Sequence, residues 1–231
     1  EIGQLADALR TMSNSLQAKA TLAEQIAAGN LNVDVPITSD VDTLGTSMAT
    51  MKASLNALID DVRMLIRATV EGRLATRADT TRHNGAYREV IEGVNATLDA
   101  VIGPLNMAAE YVERIAQGNI PAPITDAYRG DFNEIKNNLN TCISAINALI
   151  DDINMLSQAG IEGRLATRAD ASRHQGDFRA IIEGMNATLD AVIGPLNIAA
   201  LYVERIAQGN IPTPITADFK GDFNLLKNNL N

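Results

Sequence analysis

The chain's 231 residues carry a formal net charge of -9 and are 46% hydrophobic, a balance that suits a folded soluble protein and repels phosphate backbones and anionic lipid surfaces. Aromatic residues make up 3% and tryptophan is absent, so a cofactor pocket or a base-stacking platform has few of the side chains it would use. The single cysteine, Cys142, cannot form an internal disulfide and fits a reducing compartment, and no apolar run approaches the ~20 residues of a membrane-crossing helix.

From the start of the chain, Ile2, Leu5, Leu9, Met12, Leu16, Ala23 and Ile26 keep the three-four spacing of a coiled-coil seam, with one lapse at Lys19. They predict a helix over 1–28 stopped by Gly29. Because residue 1 already lies inside the periodicity, the sequence is expected to begin partway into a longer protein. A second helix is expected to start near Ser39-Asp40, and its seam runs unbroken through Val41, Leu44, Met48, Met51, Leu55, Leu58, Val62 and Leu65. The third carries Tyr87, Ile91, Val94, Leu98, Val101, Leu105, Ala108, Val112 and Ile115. Pro104 follows Gly103 inside this pattern, and a proline there kinks or restarts a helix. Asp131, with Glu134 three residues on, reads as the capping box of a fourth helix whose seam passes through Cys142; at Leu149-Ile150 either residue could take the seam. Phe178 to Ile206 then repeat the third helix, with Gly194-Pro195 at the same joint, and a last helix opens at Asp222 with Phe223, Leu226 and Leu230.

The repetition is general: Asp99-Ala100-Val101-Ile102-Gly103-Pro104-Leu105-Asn106 returns 91 residues on as Asp190-Ala191-Val192-Ile193-Gly194-Pro195-Leu196-Asn197. Each long repeat divides into two half-units of a helix, a polar connector and a second helix, the sign of an array whose members need neighbours for a core. Five connectors open at Gly29, Gly72, Gly118, Gly163 and Gly209. Two kinds alternate. Proline connectors (29–38, 118–125, 209–216) begin Gly-Asn-Leu or Gly-Asn-Ile, and arginine connectors (71–79, 162–170) read Glu-Gly-Arg-Leu-Ala-Thr-Arg-Ala-Asp. A dozen residues at roughly 3.3 Å each can run back along a helix rising about 1.5 Å per residue, so both helices of a unit can point the same way. A seam of two apolar residues per heptad is too narrow for a lone helix, and two copies of a parallel pair close a core. The expected fold is therefore all-α, tandem units each forming a parallel four-helix bundle in a homodimer, stacked into an elongated rod.

A helix ending Ile-Ala-x-Gly-Asn-[Leu/Ile], an aliphatic residue four positions on and an acidic start to the next heptad helix resemble the HAMP module of bacterial chemoreceptors, sensor histidine kinases, adenylyl cyclases and phosphatases. The whole repeat is similar to the poly-HAMP arrays of methyl-accepting chemotaxis proteins and hybrid sensor kinases. On this resemblance, 1–16 match the end of one module, 17–57, 58–102, 103–148 and 149–193 four complete modules, and 194–231 one cut short. The family implies parallel dimers that relay signals between covalently linked input and output domains, without catalysis, on the cytoplasmic side. It also implies that Leu31/Val35, Ile120/Ile124 and Ile211/Ile215 anchor the proline connectors on the bundle. The matching pairs in the arginine connectors are Leu74/Ala78 and Leu165/Ala169.

No cofactor, metal, nucleic-acid or small-molecule site is expected. His83 and His174 read as solvated loop residues, Asp60-Asp61 and Asp151-Asp152 as wet helix faces, Cys142 as a buried inert thiol, and the connector arginines as partners of bundle carboxylates. Two functions compete: a relay whose bundles switch between alternative packings, and a passive coiled-coil spacer. Alanine in place of an aliphatic anchor should hold the arginine connectors weakly, so that neighbouring units alternate between two packings.

Overall fold

A computed structural model describes all 231 residues. It is all helical, with no strands: α1 (Ile2–Ala27), α2 (Thr43–Val70), α3 (Ala86–Ala116), α4 (Asp131–Ile161), α5 (Gly176–Ala207) and α6 (Phe223–Leu230), plus single 3-10 turns at Thr80–Arg82 and Ala171–Arg173. Two compact units divide the chain, Glu1–Met107 and Ala108–Asn231.

Each long helix ends where its glycine allows. Gly29 takes φ 84°, its N–H donates to Ile26 O and the Asn30 N–H reaches back to Gln25 O, both at 2.9 Å, so the last carbonyls find donors in a left-handed turn. Gly118 does the same at φ 75°, with its N–H on Ile115 O and Asn119 N–H on Arg114 O. The helix starts differ from expectation. α2 begins at Thr43 because the Asp42 carboxylate accepts from Gly45 N–H at 2.9 Å, leaving Ser39, Asp40 and Val41 outside the helix. α4 has no capping box: Gly130, at φ 54°, occupies the cap and Asp131 is the first helical residue. Both prolines are absorbed, since α3 runs unbroken through Pro104 and α5 through Pro195.

In the unit Glu1–Met107 the core gathers Leu65 of α2, Ala78 of the connector and Ile91 of α3, with Leu58, Val62, Met64, Val94 and Leu98 packed around them. Asp61 meets His83 just before α3 begins, and Leu65 shares a core with Ile91 farther along, so these stretches of α2 and α3 run in the same direction. In the unit Ala108–Asn231 the corresponding core is Leu156, Ala169 and Ile182, surrounded by Leu149, Ala171, Met185 and Leu189.

Much of the seam stays open within one chain. Val101 is 42% exposed while Ile102 beside it is 8%, and Val192 is 41% exposed beside Ile193 at 8%. Cys142 repeats the pattern: it is exposed, contrary to expectation, and Ile143 next to it is fully buried. A helical turn places consecutive residues about 100° apart, so the residue packed on the chain's own helix and connector is not the one that completes the heptad stripe.

Candidate functional site

The connectors carry the anchors that the sequence singles out. The second anchor of four connectors is equally buried, with Ala78, Ile124, Ala169 and Ile215 each at 5% exposure, whereas Val35 is half-buried. First anchors vary: Leu31, Leu74 and Ile120 are half-buried, and Leu165 and Ile211 exposed. Gly103 and Gly194 are exposed on helical backbone, with Pro104 and Pro195 half-buried beside them.

Sequence reasoning missed the asparagines that fix these anchors. Asn95 of α3 accepts from the Ala78 N–H (3.1 Å) through Oδ1 and donates to the Ala78 carbonyl (2.9 Å) through Nδ2. Asn140 holds Ile124 in the same way at 2.7 and 3.0 Å, Asn186 holds Ala169 at 3.1 and 2.8 Å, and Asn231 holds Ile215 at 2.6 and 3.4 Å. A carboxamide sets an acceptor oxygen and a donor nitrogen side by side, so it answers an N–H and a C=O together as the peptide group of a neighbouring strand would. The available signal was an asparagine recurring 17 residues after the second anchor in arginine connectors and 16 after it in proline connectors.

The first connector lacks this clamp. Lys52 Nζ instead donates to Val33 O at 2.6 Å, and Lys19 of α1 pairs with Asp42. The lapse in the first seam thus has a physical reason, since Lys19 leaves the apolar stripe to meet a half-enclosed carboxylate. Hydrogen bonding from Lys19, then from the Thr38 and Gly45 N–H groups and the Thr38 hydroxyl, holds Asp42 well below the usual carboxylate range.

The arginine connectors overturn three expectations. His83 and His174 are buried, not solvated, and Asp61 and Asp152 are buried helix residues at 3% exposure; only Asp60 and Asp151 face water. His83 Nε2–H donates to Asp61 Oδ2 at 2.7 Å, and Arg82 reaches Oδ1 of the same carboxylate. The copy repeats it, with His174 on Asp152 Oδ2 at 2.7 Å and Arg173 on Oδ1 at 2.9 Å. On the opposite side Arg77 grips Asp99 Oδ1 at 2.6 and 2.9 Å, and Arg168 grips Asp190 likewise. The arginines therefore do pair with helix carboxylates. The Thr81 hydroxyl and N–H on Asp79, and those of Ser172 on Asp170, lower both acids below their usual range and fix the 3-10 turns that present the histidines. An alanine anchor with these ties is not weakly held.

These features define a tandem helix-connector-helix array with no cluster of metal-ligating side chains. The HAMP domain profile matches residues 82–148 and 173–231, more than half of the chain, which therefore belongs to the HAMP domain family. HAMP domains are signalling linkers between input and output domains rather than catalysts. No solved structure matches the chain, and no helix is long and apolar enough to cross a membrane.

Proposed function

We propose that the chain is a signal relay, divided at 17–57, 58–102, 103–148, 149–193 and 194–231 into units that pair in a parallel homodimer as four-helix bundles stacked end to end. One observation carries the relay: α2, α4 and α5 each serve two consecutive units without a break. A rotation or shift of α4 at Asn140 is then also a rotation or shift at Asp152, because a continuous helix transmits both. The anchors Leu31, Val35, Leu74, Ala78, Ile120, Ile124, Leu165, Ala169, Ile211 and Ile215 set which packing each unit favours.

The second copy is supported by what one chain leaves uncovered. Leu5, Leu9, Met12 and Leu16 are 52 to 63% exposed along α1, and Leu105, Val112, Leu196 and Val203 are 42 to 57% exposed along α3 and α5. An apolar stripe of that length is more than monomers leave in water. The bundle belongs on the cytoplasmic side, between an input domain and either a chemotaxis-kinase control module or a histidine kinase.

The test is a cross-linking map of the seam positions in all units, with the linked input domain in each of its two signalling states. A relay gives different helix rotations in the two states. One rotation throughout, unchanged by the input, makes the array a passive spacer. Small-angle scattering of the dimer checks the end-to-end stacking, for which a compact globule is the contrary result.

A further inference from the structure

The connectors differ in what ties them to the first helix of their unit, and that difference has a regulatory consequence. Every connector is tied to its second helix: by Asn95 and Asp99, by Asn140 and Lys136, by Asn186 and Asp190, by Asn231 and Lys227, or by Lys52. A charged tie to the first helix exists in three. Asp61 of α2 receives His83 and Arg82, Asp152 of α4 receives His174 and Arg173, and Lys19 of α1 receives Asp42. In the last connector the tie is neutral and exposed, Tyr202 OH donating to Thr213 O at 2.9 Å. Beyond the Gly118 and Asn119 N–H groups that close the end of α3, connector 118–130 makes no hydrogen bond or ion pair to that helix, and its buried residues, Pro121 and Ile124, are apolar.

We infer that the Asp61/His83/Arg82 and Asp152/His174/Arg173 groups are latches that join first helix, connector and second helix into single rigid bodies, and that connector 118–130 is the unlatched position where the packing changes. The inference deepens the relay reading and rests on it. A buried carboxylate with two charged or hydrogen-bonding partners is all or nothing, since parting them leaves a desolvated charge without compensation. Apolar side chains exchange one set of neighbours for another at far smaller cost, so the unlatched unit is the one able to hold two arrangements. The latches reverse the expectation drawn from Ala78 and Ala169: the small anchors belong to the stiff units.

Amide hydrogen exchange on the full chain, followed by mass spectrometry, tests this. Connectors 72–85 and 163–175 should be protected at least roughly tenfold more than 118–130, the factor expected of one charge-assisted hydrogen bond. Asp61→Asn should remove that protection from 72–85 while 163–175, in the same molecule, keeps its own. Should Asp61→Asn unfold, Arg82→Gln, which alters a half-exposed side chain, should still loosen 72–85 severalfold and nothing else. Equal exchange of all connectors in the wild-type chain overturns the inference, as does an Arg82→Gln chain that loosens α2, α3 and the connector together. The relay reading fails separately: the cross-linking map then shows one packing while the exchange contrast persists, which leaves latches in a passive rod.

Discussion

Asn140 and its three equivalents work as pieces of backbone. Each satisfies one N–H and one C=O of the anchor residue it faces, in a connector that forms no sheet and has no other way to pair them. Asn140→Ala should destabilise the chain by about 1–3 kcal/mol, because two enclosed backbone groups lose their partners. Asn140→Asp keeps the acceptor but sets a carboxylate oxygen against the Ile124 carbonyl, so at neutral pH it should cost at least as much as the alanine variant; urea midpoints of the three chains give the ranking. Asp42 makes a pH prediction. Its folded value is depressed, so its contribution is complete above the unfolded value of about 4 and is lost as the pH falls toward the folded one. Acid titration of the wild-type chain against Asp42→Asn should therefore show a stability gap at neutral pH that closes only below about pH 4. Neither residue was legible beforehand, for a common reason. Asn and Asp are ordinary surface residues of a helix, and heptad spacing ranks apolar positions without saying which polar ones face a connector. Asp60 and Asp61 show the limit: side chains 100° apart cannot both face in, but only the chain path reveals that His83 waits for the second.

At the scale of elements, the same substitution should have opposite signs at two glycines. Gly118 sits at φ 75°, where a Cβ is strained, so Gly118→Ala should cost about 1–2 kcal/mol. Gly103 is helical, exposed and has open space where a Cβ would stand, so Gly103→Ala should stabilise by about 0.5–1 kcal/mol. Thermal unfolding of the two variants beside wild type decides both. The stops were legible because a glycine at the end of a heptad run has one common use. The starts were not. Gly85, Gly130, Gly176 and Gly221 open helices at φ 53–55°, a use in which glycine competes with the side-chain caps that sequence reading favours. The continuity of α3 and α5 through their prolines was left open by the sequence as well, since a kink and a stop have the same local chemistry.

For the molecule as a whole, the heptad seams foretold the all-α class, and many of their apolar residues lie exposed in the single chain. The proposed dimer has a label already in place: Cys142 is the chain's single cysteine and is exposed on the α4 seam. Because that seam faces the partner chain, a spin label there should report one short cross-chain distance, about one helix diameter or 10 Å, in the parallel in-register dimer. Labels at 38 and 220 on opposite chains should lie beyond measurable coupling, and a monomer at micromolar concentration, or a short 38-to-220 distance, would contradict the arrangement. What heptads could not convey was the stiffness of each unit, which depends on a few buried charges and not on the size of the apolar anchors.

The spacing of the asparagine clamps also bears on how such arrays tolerate change in length. Each clamp lies ten residues after the glycine that opens its helix, in proline and arginine connectors alike. The one-residue difference between the two classes falls entirely before that glycine, in the stretch where the arginine connectors make their 3-10 turn. An inserted residue inside a helix would swing everything beyond it by about 100°. Here the insertion is spent in a turn, and the glycine resets the phase. A chimera in which one connector class replaces the other should therefore keep its clamp asparagine ten residues after the glycine and leave the helical phase beyond it unchanged.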